Sequence, residues 1–368
     1  MSIRDIDIRE DLWEYLSHTD KPILLYGMGN GADKILAVCH ARGIEIADTF
    51  ASDGFVRGHS FHGKTVLSYS AAKEKYGRFI VLLSFASSLP DVLETIHRVA
   101  SEQELYAPDV PVFGETLFDR TFFEAHKKEL EETESRLADK QSVDTLTNVV
   151  LYKLTGKIEF LDACESDETE AFCSLLHTET LRQYTDLGAY NGDTARKLLP
   201  ISPCLSHITA LEPDSRNFRK LSEYAKTVAE RVSIKAYNIG AWSEKDTLFF
   251  DASGNRNAGI LTGATAKKAM EILVDTVDNI LDGQETELIK YDVEGSEKEA
   301  LLGSRQTIKT HRPRLLVSLY HRSEDLFLLP RLVSELLPDC KMFLRKLPYI
   351  PAWDLNLYAV PNERIKNV

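Results

Sequence analysis

Cysteine is scarce in this chain and never closely spaced: Cys39, Cys164, Cys173, Cys204 and Cys340 are scattered over 368 residues, with no C-x-x-C pair. That excludes a disulfide framework and a thiolate zinc site, and it fits a reducing compartment. Long apolar runs are missing too. No stretch approaches the roughly 20 residues of a membrane span, and the opening MSIRDIDIREDLWEYL is acidic and amphipathic, unlike a secretory leader. The expected location is the cytoplasm, with no membrane partner. Positive charge is in deficit: 44 Lys and Arg against 57 Asp and Glu leave a net charge of -13. A nucleic-acid partner would want a basic face, so none is expected. What remains, 43% hydrophobic and 27% charged residues, is the composition of an ordinary globular protein, long enough for about two domains.

The expected fold class is α/β, with two Rossmann-like domains joined by a helical connector. In residues 1–110, apolar positions over 3–17 suggest a helix, and Ile23–Tyr26 reads as a buried strand running into Gly27-Met28-Gly29-Asn30-Gly31-Ala32 and a helix. Strand, G-x-G-x-x-A turn and helix make a dinucleotide-type opening. Strands over 45–50 and 79–84 and a helix after Pro90 continue the alternation, and Asp53 stands near where a ribose-binding acid would lie. This half either binds a nucleotide or nucleotide-sugar, as an oxidoreductase would, or uses its glycines only to pack helix on strand. No hydride-transfer constellation accompanies the turn. His59 and His62 read as solvated loop residues.

Residues 111–180 change character. Phe123, Leu130 and Leu137 recur every seven positions in a charged segment, and Val143, Leu146, Val149 and Val150 share one side of a second helix. Such helices bridge domains or pair with a second copy, and a homodimer through them is one expectation.

From residue 181 to 368 the pieces reinforce one another. Gln183–Thr194, QYTDLGAYNGDT, reads as a strand, a glycine turn and a helix. The D-x-G-x-x-x-G form lacks the Lys of a P-loop and the spacing of a dinucleotide turn, and is the pattern associated with S-adenosylmethionine. A strand over 206–214 then ends in Glu212, a carboxylate placed to accept ribose hydroxyls. Val232–Tyr237 leads to Asn238. Ala252–Ala266, rich in small residues, suggests a loop over the site. The strand in ELIKYDVEGSE releases Asp292 and Glu294 at its carboxyl end, where open α/β sheets bind ligands. Glu297 suits the first turn of the next helix. PRLLVSLY delivers His321, an imidazole whose ordinary pKa lies near the working pH of a general base. Two final strands flank a Pro-containing turn.

On DLGAYNGDT, LEPD, YNIGAWS, VDTVDNIL and IKYDVEGSE, this half resembles the FkbM family of S-adenosylmethionine-dependent methyltransferases. The resemblance implies a class I methyltransferase sheet in the order 3-2-1-4-5-7-6 and methyl transfer to a hydroxyl of a sugar, glycan or natural product. It puts Asp186, Gly188, Gly192 and Glu212 on the cofactor; Ala189, Asn191, Asp193 and Asn238 are expected to join them. It puts Asp292, Glu294 and His321 beside the methyl group, with His321 as base and no metal, against a competing arrangement with a divalent ion on Asp292 and Glu294. Tyr291 stands where the family commonly has an aliphatic residue, which would alter the acceptor side, and Asp354-Leu355 where it often has Glu-Thr.

Overall fold

A computed structural model describes residues 1–365 apart from Arg57 and the segments 252–259 and 262–268. Strands β1 (Ile23–Tyr26), β2 (Asp48–Ala51), β3 (Leu67–Ser68), β4 (Ile80–Leu83) and β5 (Glu104–Tyr106) form a parallel sheet in the order β3-β2-β1-β4-β5. Both β1 and β4 are buried at every position, as apolar strands covered on both faces should be. Helices α1 (Leu12–His18), α2 (Asn30–Ala41), α3 (Tyr69–Tyr76) and α4 (Pro90–Glu102) alternate with them. Ile23 and Leu25 pack with Leu12, Trp13, Ile35 and Cys39 on one face, and Leu24 and Tyr26 with Ile96 and Val99 on the other.

The helix expected over residues 3–17 is two pieces, a 3₁₀ turn at Ile3–Asp5 and then α1. Asp11 accepts from the Glu14 N–H while Glu14 accepts from the Asp11 N–H, at 2.9 Å each. That reciprocal cap starts a fresh helix at Leu12. Ile3 and Ile6 are buried all the same.

Four helices follow: α5 (Arg120–Arg136), α6 (Lys140–Thr155), α7 (Glu159–Asp162) and α8 (Glu168–Leu176). Asp119, Asp139 and Asp167 cap α5, α6 and α8 through their side chains. The second sheet contains β6 (Gln183–Leu187), β7 (His207–Leu211), β8 (Ser233–Tyr237), β9 (Leu288–Tyr291), β10 (Arg314–Ser318), β11 (Cys340–Lys346) and β12 (Leu355–Pro361), in the order β8-β7-β6-β9-β10-β12-β11. Only β12 runs against its neighbours. Counted within this half, that is the expected 3-2-1-4-5-7-6. Its helices are α9 (Asp193–Leu198), α10 (Ser215–Thr227), α11 (Val277–Leu281), α12 (Glu297–Leu302), α13 (Arg305–His311) and α14 (Asp325–Leu336). A four-stranded sheet of Gly240–Ala241, Asp246–Asp251, Ile260–Leu261 and Ala269–Asp275 stands beside it. Apart from Ile260–Leu261, the segment read as a loop over the site, Ala252–Ala266, lies outside the described residues.

The connector helices are packed inside the chain. Helix α5 lies on α14 and α6 along β11, where Arg345 pairs with Asp139 at 2.6 Å and Ser142 Oγ accepts the Leu344 N–H at 2.9 Å. One hydrophobic cluster runs from Leu24 and Ile96 through Phe123, Leu130 and Val149 to Ile289 and Val317. Phe123, Leu130, Val149 and Val150 are at most 1% exposed, so these side chains offer nothing to a second copy. Among the described residues no helix is long and apolar enough to cross a membrane.

Candidate active site

Strands β7, β6 and β9 are parallel neighbours, so their carboxyl ends open side by side. After β6 the chain turns at Gly188, whose φ is +80°, and a Cβ there would lie 1.8 Å from the Asp292 carbonyl oxygen. Only glycine lets the turn approach the end of β9 this closely. The N–H groups of Gly188 and Ala189 both donate to the Leu211 carbonyl, at 3.0 and 2.9 Å, which ties the turn to β7. Just past β7, Glu212 accepts the N–H groups of Tyr190 and Asp214 at 2.8 Å each. Burial pushes its carboxyl up to about 8 against the pull of those donors.

A cavity of about 580 Å³ opens here, with Gly188, Asp193 and Glu212 on one side and Lys290, Asp292, Glu294 and Tyr320 on the other. Tyr349, Trp353 and Asp354, from the turn between β11 and β12, complete its rim. A second cavity, about 270 Å³, lies at the amino ends of β6 and β7 around Gln183 and His207, away from this chemistry.

Of the expected site residues, Gly188, Asp193, Glu212, Asp292 and Glu294 line the larger cavity, while Asp186, Ala189, Asn191, Gly192, Asn238 and His321 do not. Asn191 takes the Arg196 guanidinium on its carbonyl and side-chain oxygens, at 2.6 and 2.9 Å. Asn238 donates to the carbonyls of Glu212 and Pro213, at 2.8 and 2.9 Å, and accepts from Ser215 Oγ at 3.0 Å. It braces the Glu212 turn. A Cβ on Gly192 would meet the Tyr224 ring at 2.6 Å, so that glycine serves helix packing.

The acids at the end of β9 form one charge network. Lys290 Nζ donates to Asp292 Oδ2 at 3.0 Å and lies 3.8 Å from Asp186 Oδ1, while Tyr320 donates to Asp292 Oδ1 at 2.9 Å. Burial works to raise the Asp292 carboxyl, but Lys290 and His321 outweigh it and hold the group at about 2. At Asp186 burial wins over Lys290 and lifts the carboxyl to about 6. Glu294 sits at φ +55°, an uncommon conformation for a residue with a side chain and one that clusters at functional sites. Burial raises its carboxyl above the ordinary value, against the pull of His321.

His321 corrects the expectation of a base with an ordinary pKa. Its ring is 0% exposed, with Nδ1 3.0 Å from Glu297 and Nε2 3.5 Å from Glu294 and 3.7 Å from Asp292. Burial works to lower its pKa, but the charges of Glu297 and Glu294 raise it well above the ordinary histidine value. Those charges favour the protonated ring, which is fully buried and does not line the cavity. Glu297 is more than a helix-start charge: 1% exposed, it accepts the N–H groups of Val293 and Gly295 at 2.9 and 3.3 Å. Ligand atoms of Asp292, Glu297 and His321 lie within 4.8 Å of one another, a set able to receive a divalent cation.

The first half of the chain forms part of the cavity wall. Lys34 on α2 donates to the carbonyls of Pro111 and Val112 at 2.8 and 2.7 Å, and Val112 lines the cavity. The next residue, Phe113, donates its N–H to the His321 carbonyl at 2.9 Å and rests its ring on Gly295, where a Cβ would be 2.9 Å away. Ser87, beyond β4, exchanges backbone hydrogen bonds with Ile350 at 2.9 and 3.0 Å, fixing the turn that carries Tyr349 and Trp353. Asp53, by contrast, is turned to Ser70, accepting its N–H and Oγ–H at 3.0 and 2.8 Å. His62 pairs with Asp33 at 2.7 Å with both side chains exposed.

Lys290, Tyr320 and Val112 escaped the sequence reading, which gives Glu297 only a helix-start role. A lysine inside the apolar strand LIKY was a usable signal, because a buried ammonium needs a partner. Val112 and Phe113 carried none, since their role depends on a contact between halves. Tyr291 does not alter the acceptor side: it is fully buried in the core.

Comparison with known proteins agrees with this geometry. Residues 186–350 match the model of the methyltransferase FkbM domain. The crystal structure of a methyltransferase FkbM from Methylobacillus flagellatus KT shares the fold, with a TM-score of 0.67 at 21% identity over 92% of this chain and 90% of that one. A fibrillarin from Aeropyrum pernix in complex with natively bound S-adenosyl-L-methionine aligns at TM-score 0.32 and 13% identity over 51% of this chain and 73% of that one. An rRNA methylase from Streptococcus thermophilus aligns at 0.33 and 11% over 50% and 90%. These two are too distant to bear on this chain. No curated protein matches. All of the cavity lining except Val112, Trp353 and Asp354 falls within residues 186–350, the stretch that matches the methyltransferase FkbM domain.

Proposed function

We propose that this enzyme transfers a methyl group from S-adenosylmethionine to a hydroxyl of a carbohydrate-like acceptor. The observation that carries the cofactor reading is Glu212: a carboxylate at the end of the second strand, fixed by two backbone N–H groups, facing the cavity beside a glycine turn. Its remaining lone pairs suit the two hydroxyls of a ribose. The acceptor end combines aromatic faces, Tyr320, Tyr349 and Trp353, with the carboxyls of Glu294 and Asp354. Flat apolar surfaces beside hydroxyl-binding acids favour a polyhydroxylated, uncharged acceptor over an anionic one.

The cofactor supplies an activated methyl group. The chain holds the acceptor oxygen in place, an effect worth about 7–11 kcal/mol when geometry is right, and receives its proton. We assign that proton to Glu294, the cavity-lining carboxyl whose burial strengthens it as a base, with the His321 imidazolium behind it holding the carboxylate in position. Asp292, held ionised by Lys290, orients Tyr320 toward the acceptor.

Calorimetric titration with S-adenosylhomocysteine and, separately, NADH tests the cofactor. Micromolar binding of the first and none of the second is expected, and binding of NADH alone would overturn the proposal. Methyl transfer from labelled S-adenosylmethionine to a panel of methyl glycosides tests the acceptor class. Turnover unchanged by EDTA would dismiss a divalent ion at Asp292, Glu297 and His321.

A further inference from the structure

We infer that Lys290 binds the α-carboxylate of the methionine moiety, with Asp186 and Asp292 as the acids that hold the lysine in place for it. The inference rests on the cofactor reading above and goes further, by assigning a recognition residue to the amino-acid end. Lys290 is the third residue of β9, paired in register with Asp186 on β6, so the two side chains stand on the same face of the sheet. Asp292, two residues on, stands on that face as well. The ammonium lies between the two acids, 3.0 Å from one and 3.8 Å from the other, and lines the cavity.

An ammonium has three donors. One goes to Asp292. Even with a second turned toward Asp186 Oδ1 at 3.8 Å, one Lys290 donor is left for a ligand. The other cations lining the cavity among the described residues, Arg216 and Lys220, belong to α10, which begins beside Glu212 at the ribose end. Lys290 is therefore the cation available at the glycine-turn end. The acids around it keep the ammonium charged and fix its direction, which a flexible lysine on the surface would lack.

The field alone would predict the opposite preference. With Asp186, Asp193, Asp292 and Glu294 around one lysine, an acid-rich end should favour a ligand carrying only an ammonium over a zwitterion. A preference for the zwitterion therefore reports a direct contact.

Calorimetry with S-adenosylhomocysteine and its decarboxylated analogue, which keeps the amine and lacks the carboxylate, tests this on the unaltered enzyme. S-adenosylhomocysteine should bind about 10- to 100-fold more tightly, the range of a hydrogen bond to a charged group. In Lys290→Met that advantage should vanish, through loss of S-adenosylhomocysteine affinity with the analogue little changed, and Lys290→Arg should restore part of it. Equal binding of the two ligands by the unaltered enzyme would overturn the assignment even if Lys290→Met proved unable to fold. Equal loss of both in a folded Lys290→Met would make the lysine a structural brace and overturn it as well. Should the unaltered enzyme bind neither ligand, the cofactor reading itself fails and takes this assignment with it.

Discussion

Two glycine turns follow the first strand of the two main sheets in this molecule, and the second of them lines the larger cavity. In the first half, a Cβ on Gly31 would lie 2.3 Å from the Ser84 carbonyl and one on Gly27 would strike Phe85: these glycines let strands and helix close on each other. The acid after the second strand, Asp53, caps its own chain at Ser70. In the second half, Gly188 also serves close packing, against Asp292, but the approach brings two strand ends together with carboxylates left facing the gap. Glycine spacing sets how closely backbones meet. What the neighbouring strands release at that point decides whether a site results.

The largest effect should come from Gly188→Ala, whose Cβ would collide with backbone. Loss of S-adenosylhomocysteine binding below calorimetric detection is expected, and retained micromolar affinity would remove Gly188 from the site. Next, Glu294→Gln should lower methyl transfer on the order of 10²–10⁴-fold with S-adenosylhomocysteine affinity intact. His321→Ala should also slow transfer, but with a shifted pH profile, because it releases Glu294 from its cation. An unchanged profile would detach the histidine from the base.

The first half should register in the wall rather than in cofactor affinity. In Lys34→Met, amides of residues 111–116 should exchange about 5- to 30-fold faster, the ratio for one or two kcal/mol, while S-adenosylhomocysteine affinity stays put. Smallest in function is Gly29→Ala. Its φ of +113° with nothing within 4 Å of a Cβ gives strain without collision, about 1–3 kcal/mol of stability read as a lower melting temperature, and no change in S-adenosylhomocysteine binding. A change there would mean that the first turn does hold a ligand.

Stability against pH tests the charge states of the second half. Asp186 and Glu212 have folded pKa values of about 6 and 8, raised from ordinary values of 3.8 and 4.5. The folded state then binds more protons than the unfolded one, so these groups weaken the fold as pH rises from about 4 to 8. Melting temperature of the ligand-free protein should fall across that window, and less steeply in Glu212→Gln. Asp292 has the opposite sign: held at about 2, it contributes stability present above 3.8 and lost as pH falls toward 2.

Local pattern was enough to place the seven strands of the second sheet, three of the five in the first and several helices, because apolar runs, glycine turns and acidic caps act over a few residues; the short strands Leu67–Ser68 and Glu104–Tyr106 carried too little pattern to be read. Ile23–Tyr26 and Cys340–Lys346 could be read this way. So could the acids at the strand ends, since position at a carboxyl terminus follows from the strand itself. Their protonation could not. Whether His321 is neutral or charged depends on Glu294 and Glu297 arriving around it from another loop, and burial and neighbouring charge are properties of three-dimensional distance. The split of residues 3–17 turned on a reciprocal cap that outweighed the apolar period. The part played by Val112, Lys34 and Ser87 was invisible for the same reason as the burial of Phe123: each depends on an element remote in sequence. The sequence by itself determined a pair of α/β sheets and the carboxylates offered at the end of the second. Tertiary structure alone decided which carboxylates face the cavity, which are buried behind it and in what charge state, because those follow from packing and desolvation that no stretch of chain experiences on its own.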